Sequence, residues 1–371
     1  MALIGKERSS AGRIILDIGT NSIKIFEIAQ SRRKIKVLKA YTLEGASRFI
    51  SNKDVTNLTG LVDAIVKSFK ENNVKSKKIT IVFPSKLLTT KFEKIPQMTK
   101  KELKEYMKNE FVESFPTHTD KTHCMDYASF NEVVTEEETY NTVFLASVPK
   151  MLVNNIVKEF KKSGYKIVEV ETNLTPLYYV SLLFDNDYES KTKMFVDVGR
   201  TSIRIMLLHL GSPIFMREIN YGIENVIEDL RKEVDIPLNI CEELINKVGT
   251  QREDLPIQIY DIFDSLGIIE DDYFDELDRA MYKLITEITK NIEFFDLKLK
   301  LNPDKVILMG GGSLIKGFKS QLENYSKKEI ELIDIISSIN EDNFQLINNS
   351  NTSLDGLYGQ CLGLALKGVI K

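Results

Sequence analysis

The chain has 371 residues, 43% of them hydrophobic and 28% charged, with a net charge of −4. That length suffices for two domains with sizeable cores, and the composition is that of an ordinary globular protein. The mild acidic balance argues against nucleic acid or an acidic membrane surface as partner, and no apolar run reaches the ~20 residues of a bilayer span. Residues 1–13 contain no apolar segment of the signal-peptide kind. Cys124, Cys241 and Cys361 are scattered without CxxC spacing and read as core thiols in a reducing compartment. His118, His123 and His209 form no zinc pattern. A cytoplasmic protein is expected.

Residues 13–43 predict three successive strands, broken at Gly19 to Ser22 and at the basic turn 31–34, which reads as a solvated hairpin tip. Leu58, Leu61, Val62, Ile65, Val66 and Phe69 recur at helical spacing, and residues 79–83 predict another strand. Three strands, a helix and a strand make a ribonuclease-H-like half. From 84 to 149 the pattern changes. Residues 86–95 are extended and end at Pro96; Thr99-x-x-Glu102 is a capping box opening a helix that carries Leu103, Met107, Glu110, Phe111 and Ser114 and closes at Phe115-Pro116. Two extended stretches, 122–130 and 139–148, flank the acidic turn 136–138 as a hairpin. This β-α-β-β segment is expected to be an inserted subdomain. A helix over 150–162 stopped by Gly164, a strand over 165–170 and a helix over 175–184 return the chain to the first half.

The second half repeats the plan, with strands over 194–198, 203–210 and 213–219 and a helix carrying Ile223, Val226, Ile227, Leu230 and Val234. A helix over 239–248 follows, then a long one over 271–301 whose leading Asp271 and Asp272 suit the positive end of the helix dipole. A strand over 305–309, the triplet Gly310-Gly311-Gly312, a helix from Ser313 and a closing helix over 354–370 complete it.

One stretch occurs twice. Asp17-Ile18-Gly19-Thr20-Asn21-Ser22-Ile23-Lys24 aligns without a gap with Asp197-Val198-Gly199-Arg200-Thr201-Ser202-Ile203-Arg204, and a repeat of this kind points to two related halves. Each copy reads as a hairpin with a small polar turn. Such turns converge backbone N–H groups and hydroxyls on an anion, which makes Gly19, Thr20, Asn21 and Ser22 in one copy, and Gly199, Thr201 and Ser202 in the other, candidate phosphate contacts. Asp17 and Asp197 would repel phosphate unless Mg²⁺ stood between, a cation often held by one or two carboxylates together with phosphate oxygens. Lys24 adds a positive charge. Gly310, Gly311 and Gly312 lie between a strand and a helix, where missing Cβ atoms let a flat ring or sugar approach the backbone.

This order of turns and glycines resembles the actin, Hsp70 and hexokinase superfamily and, within it, the PilM family of type IV pilus assembly proteins, relatives of FtsA. Residues 17–24 resemble the family's first phosphate loop; 95–103 and 110–116 resemble its inserted 1C subdomain; 215–219 and 362–368 also fit. The resemblance implies an α/β fold of two duplicated actin-like (ribonuclease-H-like) halves around a nucleotide cleft, with the β-α-β-β insert as 1C. The boundaries expected are 1–83 with 150–190 for the first core, helix 354–371 packing back near it, 84–149 for 1C and 191–353 for the second half. ATP and Mg²⁺ are the implied cofactors. Asp17 and Asp197 then face the metal, Asp197 and Glu171 hold catalytic positions, and Gly222, Glu242, Lys247 and Ser313 join the turn residues and glycines around the nucleotide.

The sequence departs from the family pattern at four places. A single Gly222 precedes Ile223, with Ile227 near a usual threonine; Ile245 stands where an adenosine-contacting lysine is usual, leaving Lys247 as the substitute; Glu171 replaces an Asp; and Arg200 replaces a small residue. Weak or no ATP turnover is therefore expected. The resemblance also implies an adaptor in pilus assembly and twitching motility. It would bind the cytoplasmic N-terminal segment of a bitopic PilN-like membrane protein in a groove beside 1C, and so be recruited to the inner face of the membrane. Leu103, Met107, Phe111, Phe115 and Pro116 offer an apolar edge there, with Glu110 and Glu113 as acidic flanks. Phe111 and Phe115, four residues apart on one face, are the sharpest candidates, and a charge at 115 is expected to abolish peptide capture with stability nearly unchanged. Pilus motor ATPases and self-association are further implied contacts. Two alternatives stand beside this reading. A small-metabolite kinase would need a catalytic cluster that the insert lacks, and an FtsA-like filament protein would carry a linker and basic amphipathic helix after its last core helix, where this sequence stops at Lys371.

Overall fold

The structure is a computed structural model and describes residues 12–31, 34–50, 55–84, 87–130, 133–134, 139–184, 191–253, 255–333, 344–346 and 356–367. The chain divides into two compact units, one of Met1–Asn186 with Gly211–Ile214 and Ile335–Lys371, the other of Asp187–Leu210 with Phe215–Asp334. The tips of two expected turns, Arg32-Arg33 and Glu136 to Glu138, and both ends of the closing helix lie outside the described residues.

In the first unit, β1 (Arg13–Ile18), β2 (Ser22–Ser31) and β3 (Lys34–Glu44) form an antiparallel meander, and β4 (Lys78–Val82) pairs in parallel with β1. The apolar run Ile14-Ile15-Leu16 is buried throughout, as in a central strand with both faces covered. Asn57 caps α1 (Leu58–Glu71), its side chain accepting from the Gly60 N–H at 2.8 Å, and the helix buries Leu61, Val62, Ile65, Val66 and Phe69 as expected.

The insert forms its own sheet of β5 (Thr89–Pro96), β6 (His123–Ser129), β7 (Val133–Val134) and β8 (Thr139–Pro149), in the order β5-β8-β6 with β7 also on β8. Its helix α2 (Lys100–Ser114) begins at the expected capping box: Thr99 Oγ1 accepts from the Glu102 N–H at 3.3 Å, and Glu102 Oε2 accepts from the Thr99 N–H at 2.7 Å. Helix α3 (Lys150–Lys162) leads to β9 (Lys166–Glu171) and α4 (Thr175–Ser181).

The second half of the chain forms β10 (Thr192–Val198), β11 (Ile203–His209), β12 (Ser212–Ile219, its first three residues counted with the first unit), α5 (Ile223–Val234), α6 (Leu238–Lys247), α7 (Ile257–Leu266), α8 (Glu270–Phe294), β13 (Lys305–Met309), α9 (Phe318–Ser326) and β14 (Glu329–Leu332). Its sheet order is β12-β11-β10-β13-β14, and the first runs β3-β2-β1-β4-β9 with β15 (Phe344–Leu346) added beside β3. Each sheet is thus third-second-first-fourth-fifth in its own chain order, the duplication that the repeated motif announces. In the first unit, α10 (Gly359–Leu366) packs on α4, where a Cβ at Gly363 would lie 2.1 Å from the Pro176 carbonyl oxygen.

Three expectations change in detail. Helix α7 was not expected; its Ile-Gln-Ile-Tyr-Asp-Ile-Phe run mixes strand and helix periods, and only Ile259 and Phe263 are buried. The helix expected from Ser313 is a single 3₁₀ turn, Gly311–Leu314, because Gly317 at φ 81° separates it from α9. The long helix is α-helical to Phe294 and continues as a π turn, Phe295–Leu299, ended by Lys300 at φ 55°.

Candidate functional site

The two Asp-x-Gly hairpins are built alike. In the first, the Gly19 N–H donates to the Ser22 carbonyl at 3.1 Å; in the second, the Gly199 N–H donates to the Ser202 carbonyl at 2.9 Å. The register sets Asp17 directly opposite Lys24 and Asp197 opposite Arg204. Each carboxylate therefore faces a cation across its own hairpin, Lys24 Nζ at 3.9 Å and Arg204 Nη1 at 3.1 Å. The role of Arg204 escaped the sequence reading, although its alignment with Lys24 carried the signal.

In the first turn Ser22 is buried, Thr20 half-buried and Asn21 exposed. Glycine is needed at 19 because a Cβ would lie 2.7 Å from the Ser22 carbonyl oxygen. Behind the turn, Cys361 Sγ lies 3.6 Å from the Lys24 carbonyl oxygen. Burial, with the charge of Asp17, pushes that thiol well above its usual range, so it stays an uncharged core group.

The second turn is held from three sides. The Ile223 and Glu224 N–H groups at the start of α5 donate to the Gly199 and Arg200 carbonyls at 3.2 and 2.8 Å. Gly222 permits this approach, since a Cβ there would meet the Arg200 carbonyl oxygen at 2.5 Å. Ser202 Oγ donates to Glu218 at 2.5 Å, and Thr201 is half-buried. Gly310, at φ 87°, abuts Asp197, whose Oδ1 would lie 2.3 Å from an added Cβ; a Cβ at Gly312 would meet Val198 and Ile223 at 2.5 and 2.8 Å. These two glycines thus admit the chain's own β10 and α5, while Gly311 is exposed. Ser313 Oγ donates to the Gly310 carbonyl at 2.7 Å.

Arg200 extends from the turn to Glu242 on α6 at 2.6 Å, with Glu224 4.0 Å away. Glu242 was expected at the nucleotide, and its link to Arg200 was not foreseen. Lys247 reaches Glu243 at 2.6 Å one helical turn back, and Ile245 is buried in the core.

Glu171 lies at the end of β9, fully enclosed and bonded to Lys367 just past α10; Lys367 also donates to Glu169 at 2.5 Å. Burial pushes the Glu171 carboxyl up to about 7, against the pull of Lys367. Burial alone would lower Lys367, but Glu171 and Glu169 outweigh it and raise its pKa. Arg13 stands 3.7 Å from Glu169 and donates to the Leu364 carbonyl at 2.9 Å. Neither Lys367 nor Arg13 was assigned a role from sequence.

Among the described residues no group of three or more His, Cys, Asp or Glu side chains forms a metal centre. Asp197 is 3% exposed and charge-compensated by Arg204. A Mg²⁺ ion would therefore meet these carboxylates through its own water ligands, which this cation commonly keeps.

In the insert, Leu103, Met107 and Phe115 belong to the core with Ile95, Val143 and Leu145, and Phe111 is half-buried against them. Phe115 is 3% exposed, which corrects the expectation that a charge there would leave stability unchanged. It is the C-cap residue of α2 at φ −132°, and leaving the helix turns its ring inward. Glu110 is also buried and accepts from Ser114 Oγ at 2.8 Å, whereas Glu113, Val112 and Pro116 are exposed. His118 and His123 stack on each other at 3.8 Å, and His118 Nδ1 lies 2.8 Å from Ser147 Oγ.

Residues 15–369 match the family described as type IV pilus assembly protein PilM. The chain belongs to the PilM family. It is therefore a component of the type IV pilus assembly machinery built on the actin-like fold. A solved PilM-PilN type IV pilus biogenesis complex is similar over 98% of this chain and 99% of that one, at 18% identity and a TM-score of 0.76. The ethanolamine utilization protein EutJ from Carboxydothermus hydrogenoformans is similar over 98% and 92%, at 12% identity and a TM-score of 0.53. MreB5 of Spiroplasma citri, solved bound to ADP, is similar over 96% and 95%, at 11% identity and a TM-score of 0.52. At these identities the structures establish the shared fold. No described helix is long and apolar enough to cross a membrane.

Proposed function

We propose that this PilM-family chain is an ATP-binding adaptor that docks the cytoplasmic N-terminal segment of a PilN-like inner-membrane protein. The observation that carries the nucleotide reading is the pair of hairpins with identical closure and an Asp–cation pair in the same register. Gly19 to Ser22 with Lys24, and Gly199, Thr201 and Ser202, would hold phosphates. Glu242 and Gly311, the exposed member of the glycine triplet, would contact the nucleoside side, while Gly222, Gly310, Gly312 and Ser313 would shape that wall from behind. Asp17 and Asp197 would hold Mg²⁺ through water, where it would neutralise phosphate charge. ATP turnover is expected below roughly 1 s⁻¹, the low end for phosphoryl-transfer enzymes, because the acid Glu171 is engaged by Lys367 and Asp197 by Arg204.

Calorimetric titration with ATP, with and without Mg²⁺, tests the nucleotide reading. Binding should require Mg²⁺ and weaken in Asp17→Ala, and undetectable binding at millimolar ATP would sink it. The partner reading is supported by the likeness to a PilM-PilN complex and by Val112, Glu113 and Pro116 exposed along the rim of the insert. An N-terminal peptide of a PilN-like protein should bind the wild type and lose affinity in Val112→Ser. Contacts with pilus motor ATPases and self-association belong to the same reading.

A further inference from the structure

The second unit carries a feature that neither the nucleotide nor the peptide reading uses. Residues 253–278 contain ten Asp or Glu and no Lys, Arg or His, against a net charge of −4 for the whole chain. The rest of the chain is therefore net basic, and the acidic excess is concentrated in α7 and the start of α8. Charge alone would make this a solvated corner, but the same segment exposes large apolar side chains. Ile257 is 76% exposed, Ile269 65%, Tyr260 44% and Leu266 43%. Ile257, Tyr260, Asp261 and Asp264 share the outer face of α7 at helical spacing.

The corner is also concave. Gly267, at φ 64°, turns α7 into α8 with open space where a Cβ would be. Beside it lies a cleft of about 370 Å³ whose lining includes Leu266 and Ile269, the carboxylates of Asp272, Asp275, Glu276 and, from α5, Glu233, and a single cation, Arg279. Two cations flanking the segment answer only part of its charge: Arg252 holds Asp275 and Asp278 at 2.7 and 2.9 Å, and Arg279 pairs with Glu276. Leu266 and Ile269 meet at the cleft while Ile257 and Tyr260 continue the exposed apolar surface along α7, and an exposed apolar surface rimmed by polar groups is the mark of an interaction site. A surrounding field of one sign selects the partner's charge.

We propose that the α7–α8 corner is a docking surface for a basic amphipathic segment of another protein, whose apolar side chains enter the cleft between Leu266 and Ile269 while its Lys or Arg residues face the acidic rim. Anionic lipid is disfavoured by the sign of the field. The surface is built within the second unit alone, so the proposal stands independently of nucleotide binding.

The test is fluorescence anisotropy on the full chain with a labelled synthetic Leu/Lys amphipathic helix of about five turns, set against a Lys-only peptide of equal charge. The amphipathic peptide should bind at low salt and the Lys-only peptide at least about tenfold more weakly, a difference of about 1.4 kcal/mol. The double variant Ile257→Ser, Ile269→Ser should lose about tenfold or more. The triple variant Asp261→Asn, Asp264→Asn, Asp272→Asn should weaken binding at low salt and converge on the wild type near 1 M salt, where screening is short-ranged. All these side chains are at the surface, so melting temperatures should change only slightly, by no more than the helix-dipole contribution of Asp272 at the start of α8. Equal binding of the Lys-only peptide, no loss in the serine variant, or no detectable binding of the amphipathic peptide overturns the proposal. So does capture by anionic phospholipid vesicles that the same variants abolish. Concentration-dependent self-association in sedimentation, removed by the serine variant, would make the occupant a second copy and overturn it equally.

Discussion

Phe115 decides whether the edge of the insert is a binding surface or a core. Its ring is 3% exposed among Ile95, Leu103, Met107, Val143 and Leu145, and stacks toward Phe111 at 6.3 Å and His118 at 5.5 Å. Truncating a buried Phe to Ala costs about 3–5 kcal/mol in lost transfer energy and residual cavity. Nothing in the backbone offsets this, because residue 115 caps α2 in a non-helical conformation and gains no helix propensity from alanine. A subdomain of roughly 60 residues has a total stability of about 3–9 kcal/mol, so Phe115→Ala should bring the insert close to local unfolding. Hydrogen exchange should show loss of protection across residues 89–149, with the sheets containing β1 and β10 unchanged. Phe111→Ala, half-buried, should cost roughly 1–2 kcal/mol on the area it hides, and exposed Val112→Ser within about 0.5 kcal/mol. Wild-type protection of 89–149 in Phe115→Ala, or a cost equal to that of Val112→Ser, would refute the reasoning.

Three further outcomes follow from buried polar groups and a strained glycine. Glu27 is 1% exposed and accepts from the Lys75 and Ser76 N–H groups at 2.8 and 2.7 Å; Glu27→Ala orphans both and should cost about 2–6 kcal/mol in urea unfolding, with Glu27→Gln recovering more than half. Because burial holds Glu171 at about 7, above its ordinary 4.5, its contribution to stability is complete below pH 4.5 and is lost as pH rises through 7. Wild-type stability relative to Glu171→Gln should therefore fall by about 3 kcal/mol across that window, at about 1.4 kcal/mol per pH unit; parallel stability curves for the two proteins would exclude it. Gly310→Ala should both destabilise the second unit in thermal melts and weaken ATP binding, since its Cβ would strike Asp197 Oδ1 from a left-handed backbone.

The duplication, the two Asp-x-Gly hairpins, the order of strands around them, most of the helices and the inserted β-α-β-β unit are legible in the sequence alone. These are local matters. Strand alternation, the Thr99 capping box and the apolar spacing of α1 and α5 are written within a dozen residues, and the gap-free repeat of residues 17–24 at 197–204 marks one hairpin geometry used twice. Which groups meet across large sequence separations is set by folding instead. Lys367 reaches Glu171, and Arg200 reaches Glu242, because helices close over sheet ends, and no local pattern encodes those distances. The same holds for Phe115, whose apolar character fits a groove or a core equally well until the β5–β8 sheet folds against it. Gly310 and Gly312 show the reason most plainly. A glycine triplet advertises missing Cβ atoms, but whether ligand or protein fills the space depends on strands and helices brought together by folding, and at these two positions it is Asp197, Val198 and Ile223 that fill it.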